Sequence, residues 1–451
     1  MSEVIKIKKG LNIKLQGKAE KIFMKADPAE KYALKPTDFH GLIPKLVVKQ
    51  DDLVKAGSTL FYDKSNPEIK FSSPVSGKVA EIRRGERRKI LEVIIESDNK
   101  YDQIDFGKES SENLTKEKVT AKMLESGLWP FIRQRPYGII ANPEDTPTAI
   151  YISAFDTAPL APDLDFIVTG NEEDFQAGIN SISKLTSGKV YLNVDADYPA
   201  TSIFNRVSKV KITKFKGVHP AGNVGIQIHH IKPINKGEII WYLYPQDVIT
   251  IGRLFKKGIY DASRVVALTG SEVHKPRYYR LLSGSIITPV IKDNIKKDKD
   301  VRYISGNVLT GTQVSSNGYL GFYDSQISVI PEGNNKEFFG WALPGFGKYS
   351  KSRTFFSWLT PNKEYKLNTN LHGGERAFVM TGQYEKVLPM DIYPVQLLKS
   401  ILAGDIEKME NLGIYEVIEE DMALCEFICT SKIEVQQILR KGLELMIKEL
   451  G

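Results

Sequence analysis

Cysteine is almost missing from this sequence: Cys425 and Cys429 are the only two in 451 residues. A disulfide framework is excluded, which fits a reducing compartment. An iron–sulfur cluster of the usual kind takes about four thiolates, and one such pair cannot supply them. Long apolar runs are missing too. No stretch approaches the roughly 18 residues needed to span a bilayer. The longest are strand-sized and interrupted, as in Ser285–Ile291 with Pro289 inside it. The opening MSEVIKIKKG has neither the apolar core nor the cleavage site of a secretory signal, so the expected location is the cytoplasm. Phosphate-binding signatures are absent as well. There is no GxxxxGK[ST] loop and no GxGxxG turn between a strand and a helix. His219–Gln227 (HPAGNVGIQ) is glycine-rich, but Pro220 and the spacing do not fit.

Charge of one sign is not concentrated. Lys and Arg number 62 against 55 Asp and Glu, a net +7, and the lysines are dispersed. The densest cluster, Lys292–Lys299 (KDNIKKDK), is mixed with acids, the pattern of a solvated loop and not of a nucleic-acid patch. The small excess suits an acidic partner or an anionic membrane surface.

What is present reads as a chain of about three domains with several cores. To about Ser97 the pattern is one of short strands. Ile5–Leu15 alternates apolar and polar residues, and Pro44–Gln50, Gly57–Tyr62, the PVSGKV turn at Pro74–Val79 and Ile90–Ile95 follow, a β-domain of hairpins. Asn99–Leu114 is a polar linker. Beyond it come a short helix over Thr120–Gly127 and strands at Ala149–Ile152 and Phe166–Thr169. An amphipathic helix over Glu172–Leu185 and a strand at Val190–Val194 complete a βαβ unit, so an α/β domain with a parallel sheet is expected. Ala262–Leu268 opens a third region of short strands. Pro331–Lys366 is irregular and aromatic-rich. From Asp391 the period is helical, most clearly over Ile433–Leu450. The predicted boundaries are 1–100, 115–258, 260–330 and 331–451.

Candidate residues for chemistry are few. Cys425 and Cys429 are four apart on a predicted helix; they are either a half-site for a metal or two small buried residues. His219, His229 and His274 form a possible convergent set. His229 and His230 are adjacent, so as strand residues they would face opposite sides. No nucleophile with a supporting base declares itself, and no catalytic or metal-ligating residue is assigned.

Two resemblances go further. Lys45–Val79, with VVKQDDLVKAGSTLFYD and PVSGKV, resembles biotinyl/lipoyl-type domains, which display a lysine at a hairpin tip. Here Lys64 stands near the tip of a longer hairpin that contains Pro67, so a scaffold use of that fold is expected; a free-standing lipoyl or biotinyl carrier is the weaker alternative. Across the chain stand GLNIKLQGK, RPYGIIANP (Arg135–Pro143), KGVHPAGNVGIQIHHI (Lys216–Ile231), HKPRYYRLLSG (His274–Gly284), the long motif at Glu375–Asp405 and EEDMALCEFICTSKIE (Glu419–Glu434). In that order they resemble the A-subunit family of the sodium-translocating NADH:quinone oxidoreductases. The family is related to the C subunit of the Rnf complex and to the flavin-carrying NADH-binding subunit of complex I.

The resemblance implies a multidomain α+β fold: a biotinyl/lipoyl-like β-domain, a Rossmann-like α/β domain, a ubiquitin-like β-grasp module over Ala262–Val329, and a C-terminal helical domain. RYISGNVLTG (Arg302–Gly311) resembles a soluble-ligand-binding β-grasp motif. It implies a peripheral subunit on the cytoplasmic face of the bacterial inner membrane, docked on other subunits, above all the B subunit. The complex would couple NADH oxidation and quinone reduction to sodium export, with NADH, flavins and iron–sulfur centres on other subunits. Cys425 and Cys429 stand near where relatives place cluster cysteines, with Thr430 where a proline is usual. A quinone is the one ligand expected of this chain. It would need an apolar slot and donors for its carbonyls, for which His219, Gly222, Gly225, His229, His230, Arg277 and Tyr278 are the candidates. The alternative is a docking subunit with no quinone contact.

Overall fold

The computed structural model describes residues 4–109, 114–296, 300–333, 337–340, 342–352 and 354–450. Part of the lysine cluster, residues 297–299, lies outside them, as do the first three residues of the opening segment. Strands β1 (Val4–Ile7) and β2 (Glu20–Met24) open the chain, followed by β3 (Lys31–Leu34), β4 (Pro44–Leu46), β5 (Leu53–Val54), β6 (Thr59–Asp63), β7 (Lys70–Ser72), β8 (Gly77–Arg84) and β9 (Ile90–Ser97). Next come α1 (Lys116–Ser126), β10 (Arg133–Arg135), β11 (Ile139–Ile140), β12 (Ala149–Ser153), α2 (Leu164–Val168), α3 (Glu172–Ile182), β13 (Lys189–Asp195), β14 (Lys211–Gly217), α4 (Val224–Ile231), β15 (Ile240–Leu243) and α5 (Pro245–Lys257). Then follow β16 (Ser263–Thr269), β17 (Arg277–Leu282), α6 (Thr288–Ile291), β18 (Val301–Ser305), β19 (Thr312–Val314) and β20 (Gln326–Pro331), and last α7 (Pro394–Ala403), α8 (Ile406–Asn411), α9 (Glu419–Phe427) and α10 (Val435–Leu450).

The β-domain is a sandwich of two small sheets, β3-β9-β8-β5 and β4-β6-β7, closed over Phe61, Phe71, Val79 and Val93. The first strand does not join it. The alternation over Ile5–Leu15 predicts one strand of this domain; instead β1 ends at Ile7 and pairs in parallel with β14, Val4 opposite Lys214. Alternation tells which face is buried, not which sheet has an open edge. At Gly10 the chain takes φ +144, and a Cβ there would meet the His219 carbonyl oxygen at 2.0 Å, so only glycine lets the turn close. β2 also leaves, pairing in parallel with β17.

The α/β sheet runs β1-β14-β13-β12-β15-β10-β11, parallel from β1 to β15 and antiparallel beyond. Its strands alternate as period two requires. Ile150, Ile152, Leu192, Trp241 and Leu243 share one core with Ile179 of α3 and Val248 of α5. Ala149, Tyr151, Ile240 and Tyr242 face the other way, onto Val224 and Ile228 of α4. Phe166–Thr169, a predicted strand, is the end of the short helix α2. Asp163 caps it, accepting from the Phe166 amide at 3.0 Å. A four-residue apolar run carries no period, and the cap decides. The Ser285–Ile291 run likewise turns helical at Pro289, within α6.

The β-grasp sheet runs β19-β18-β20-β16-β17-β2 around Val266, Leu268, Ile327 and Val329. The C-terminal stripe falls where its period puts it: Val435, Leu439, Leu443 and Met446 are buried on α10. That helical domain packs on the α/β sheet through Ile7, Phe155, Phe215 and Ile226. No helix among the described residues is long and apolar enough to cross a membrane.

Candidate functional site

In an open α/β sheet the natural crevice lies where the strand order reverses, beyond the carboxyl ends of the strands. Here β13 and β14 lie to one side of β12, and β15 lies to the other. The chain leaving β12 (from Ala154) and the chain leaving β15 (Tyr244) part at that point. The β14–α4 loop, which carries His219, meets the chain leaving β12 at Thr157.

His219 is buried, 3% exposed, after β14. Its amide donates to Asn12 Oδ1 at 2.8 Å, and its carbonyl accepts from the Leu11 amide at 2.8 Å. Thr157 Oγ1 accepts from the Gly222 amide at 2.9 Å and lies 3.1 Å from His219 Nδ1. Thr157 thus holds the ring at Nδ1 and leaves Nε2 as its other polar edge. Burial lowers the imidazole pKa from 6.5 to about 4, so the ring is neutral at pH 7. Because the unfolded chain binds the proton more tightly, this group's stabilisation is complete above about pH 6.5 and is lost as pH falls towards 4. The loss amounts to about 3 kcal/mol. His219→Asn keeps an acceptor for Thr157 and has nothing to titrate. Urea unfolding at a series of pH values should show the wild-type chain losing that much more than the variant across this window; parallel curves would refute the assignment.

Around His219 the loop is fastened by buried amides. Gln227 Nε2 donates to Ser153 Oγ at 2.8 Å, Asn193 Nδ2 donates to Gln227 Oε1 at 2.8 Å, and Ser153 Oγ donates to the Gly222 carbonyl at 2.9 Å. The two candidate glycines do permit close approach, but to the chain itself. A Cβ on Gly222 would meet the Thr157 nitrogen at 2.6 Å, and one on Gly225 would meet Arg135 Nη1 at 2.5 Å.

The other candidates separate. The region read as a strand at His229 and His230 is the helix α4, so the two do not face opposite sides of a sheet. His229 uses both nitrogens: Nδ1 lies 2.8 Å from Glu416 Oε2, and Nε2 accepts from the Asp391 amide at 3.1 Å. His230 is exposed at the end of α4. Arg277 pairs with Glu20 at 3.4 Å, and Tyr278 OH accepts from the Asp163 amide at 2.8 Å within another core cluster. Neither of these contacts joins the His219 loop. His274 is exposed on the β-grasp domain. Among the described residues no group of three or more His, Cys, Asp and Glu is placed to hold a metal ion. Cys425 is buried in α9, but Cys429 lies beyond the helix end at Phe427, so the pair does not share a helix face. Tyr384 OH donates to Cys429 Sγ at 2.9 Å, and burial pushes the Cys425 thiol up. Lys64 is exposed at the β6–β7 turn.

Several residues packed against α4 went unforeseen. Arg135 and Asp421 are wholly buried, Nη1 to Oδ2 at 2.6 Å, and Arg135 Nη2 reaches Glu420 Oε1 at 2.8 Å. Asn223 Nδ2 donates to the Glu420 carbonyl at 2.8 Å. Burial and the Asp421 charge raise the Glu420 carboxyl, against the pull of Arg135 and Arg133. The Arg133 guanidinium lies over three tyrosine rings, Tyr323 at 4.3 Å, Tyr242 at 4.7 Å and Tyr244 at 5.0 Å. The RPYGIIANP motif marked Arg135 by position, but nothing local marks a buried ion pair.

A barrel-sandwich domain, a Rossmann-like domain, a β-grasp domain and a helical domain define a multidomain α+β chain. Sequence comparison gives the family. Residues 5–98 match the NqrA N-terminal barrel-sandwich hybrid domain, 114–260 the NqrA second alpha/beta domain, and 265–316 the NQRA C-terminal domain. The chain is 41% identical over 452 aligned positions to the A subunit of the Na(+)-translocating NADH-quinone reductase of Neisseria meningitidis serogroup B (strain MC58), covering 99% of this chain and 100% of that one. The protein of the same name from Pasteurella multocida (strain Pm70) is 40% identical, with the same coverage. The chain belongs to the family of Na+-translocating NADH-quinone reductase A subunits, as its motifs indicated. It is a subunit of a respiratory oxidoreductase complex, and the other subunits are its partners. A looser likeness in shape is to an NAD+-reducing [NiFe]-hydrogenase in the air-oxidized state, with a TM-score of 0.40 and 11% identity over 75% of this chain and 62% of that one.

Proposed function

We propose that this chain is a peripheral subunit on the cytoplasmic face of the bacterial inner membrane, docked on the membrane-embedded subunits, the B subunit above all. In this reading it contributes to quinone reduction through His219 and carries no flavin or iron–sulfur centre of its own. The observation that carries it is the setting of His219. The imidazole is buried and neutral, Thr157 meets it at Nδ1, and Asn12 holds the His219 backbone amide; with its proton on Nε2 the ring is a donor for a quinone carbonyl. Of the other histidines in the motif, His229 has both nitrogens occupied and His230 is exposed, which leaves His219 as the buried one held by Thr157.

A water-soluble short-chain quinone titrated into the isolated chain, followed by tryptophan fluorescence, tests this. Trp129 and Trp241 are buried in the α/β core, where ring contacts report on the sheet. Saturable quenching is expected, weakened at least tenfold, or about 1.4 kcal/mol, in His219→Ala. His230→Ala, at an exposed position, should bind as the wild type does. An unchanged titration in His219→Ala would sink the reading. The second reading, docking without quinone contact, is favoured by the 3% exposure of His219 and predicts no saturation in either protein.

A further inference from the structure

Arginine, not lysine, makes the densest run of cations in the chain. Five of the seven residues from Arg83 to Lys89 are basic, and Glu86 is the one acid among them. They form the tip of the β8–β9 hairpin, which outruns its neighbours. β3 pairs with β9 only from Val93 to Glu96, and β5 pairs with β8 only at Gly77 and Lys78. The rungs Arg83–Glu92 and Arg84–Ile90 therefore project beyond the sandwich as a two-stranded ribbon. Arg83 is turned back onto Glu81, at 3.1 Å, and onto Glu92, so the other two acids of the ribbon are taken up. Arg84 donates to the Arg88 carbonyl at 3.1 Å. Arg84, Arg87, Arg88 and Lys89 are all exposed, and none of them has an acidic partner among the described residues.

The turn itself is strained. The Lys89 amide donates to the Glu86 carbonyl at 3.0 Å, and the two residues between are both left-handed, Arg87 at φ +52 and Arg88 at φ +61. This is the type I′ arrangement, which favours asparagine followed by glycine and strains a residue with a β-carbon. The chain puts two arginines there. Turn geometry does not ask for them, so what they contribute is charge.

Charge and shape together decide the occupant. The ribbon end carries no apolar anchor: Ile90 is buried, Ile82 and Leu91 are half-buried, and no aromatic residue lies between Glu81 and Glu92. A protein contact needs such anchors at its centre. A single-stranded nucleic acid needs rings to stack on. The headgroup layer of an anionic leaflet needs only a cluster of about four or more cations at its surface. Guanidinium groups suit its phosphates by geometry.

We infer that the Arg84–Lys89 hairpin tip touches the anionic phospholipid headgroups of the membrane beside the complex. The inference rests on the reading that this chain is held peripherally at that membrane, and it adds a direct lipid contact to docking on other subunits. The test sediments the full chain with vesicles of phosphatidylethanolamine and phosphatidylglycerol, and with vesicles of phosphatidylcholine alone. Wild-type chain should sediment with the first and not with the second. Its affinity should fall at least tenfold between about 0.05 and about 0.5 M salt. Arg87→Asn with Arg88→Gly should bind at least about tenfold more weakly, as should the separate variant Arg84→Gln with Lys89→Gln. Thermal unfolding should place Arg87→Asn with Arg88→Gly no lower than the wild type, because both new residues suit the turn. Lys118→Gln with Lys189→Gln, which removes two exposed cations of the α/β domain, should bind as the wild type does. No sedimentation of the wild-type chain, or equal sedimentation of wild type and tip variants, overturns the inference and leaves docking on the subunits standing. Capture of the complex in detergent separates the two readings. Tip variants should bring the membrane subunits with them as the wild type does. A loss confined to the tip variants would make an acidic protein surface the occupant and overturn the inference. A wild-type chain that captures no subunit overturns the peripheral reading, and this inference with it.

Discussion

Replacing Asp421 by alanine should lower the unfolding free energy by about 3–5 kcal/mol, the usual result of stranding one member of a buried ion pair. Both side chains are fully buried, with Arg135 Nη1 2.6 Å from Asp421 Oδ2. The same carboxylate oxygen accepts from the Ile418 amide at 3.1 Å and so caps α9. Arg135 Nη1 also donates to the Glu416 carbonyl at 3.0 Å. The pair fastens β10 of the α/β sheet to α9 of the helical domain, and without Asp421 the guanidinium keeps only Glu420 as a charged partner. Two atoms of the pair, Arg135 Nε and Asp421 Oδ1, are buried without a partner among the described residues, so the pair is imperfectly satisfied. Its net worth is accordingly small even though breaking it is expensive. Arg135→Met combined with Asp421→Leu should therefore recover most of what Asp421→Ala loses. Urea unfolding of the three proteins checks this, with amide exchange in α9 as the local readout. A double variant as unstable as the single one would show that the charges themselves hold the junction.

The chain's own pattern gave away what is local. Ile90–Ile95 and Val190–Val194 were legible as short apolar runs of strand length, and the stripe on α10 because one face is buried and the period reports it. Long-range choices were not legible. The destination of β1 depends on the open edge of β14, more than 200 residues away, and no local signal encodes it. His219 was picked out, but its partner Thr157 lies 62 residues earlier and on another strand's loop. Gly222 and Gly225 were read as room for a ligand, whereas the room is taken by Thr157 and Arg135. A glycine shows that something comes close without showing what. Arg135 is the hardest case, since an arginine in a sequence reads as surface and only tertiary pairing makes it interior. Phe166–Thr169 and Cys429 failed for a smaller reason, the reach of a cap and of a helix end, within the ordinary uncertainty of such boundaries.

The second large effect lies where two helices touch through glycine. α3 and α5 cross so closely that a Cβ on Gly252 would meet the Asp174 carbonyl oxygen at 1.8 Å and the Gly178 nitrogen at 2.8 Å, while one on Gly178 would meet the Val248 carbonyl oxygen at 2.0 Å. These are backbone atoms and cannot swing aside, so the helices must part. Alanine improves helix propensity by about 1 kcal/mol over glycine. The overpacking should outweigh that, leaving Gly252→Ala destabilised by about 3 kcal/mol or more. The damage should spread beyond the crossing, because α5 carries contacts to two other regions. Gln246 bridges the backbone of Val265, taking its amide at 2.7 Å and donating to its carbonyl at 2.9 Å, and Asp247 pairs with buried Arg264 at 3.0 Å. Tyr244, at the N-terminus of α5, reaches Glu420 Oε2 with its hydroxyl at 3.5 Å. Amide exchange in β16 should accordingly rise along with the fall in thermal stability. Gly374→Ala, at a position with open space around its Cβ, should stay within about 0.5 kcal/mol of the wild type. The double variant Gly178→Ala with Gly252→Ala should lose clearly less than the two single losses combined, because one separation of the helices makes room for both methyl groups. Strict additivity would mean that each glycine relaxes on its own and that the crossing is not a single contact.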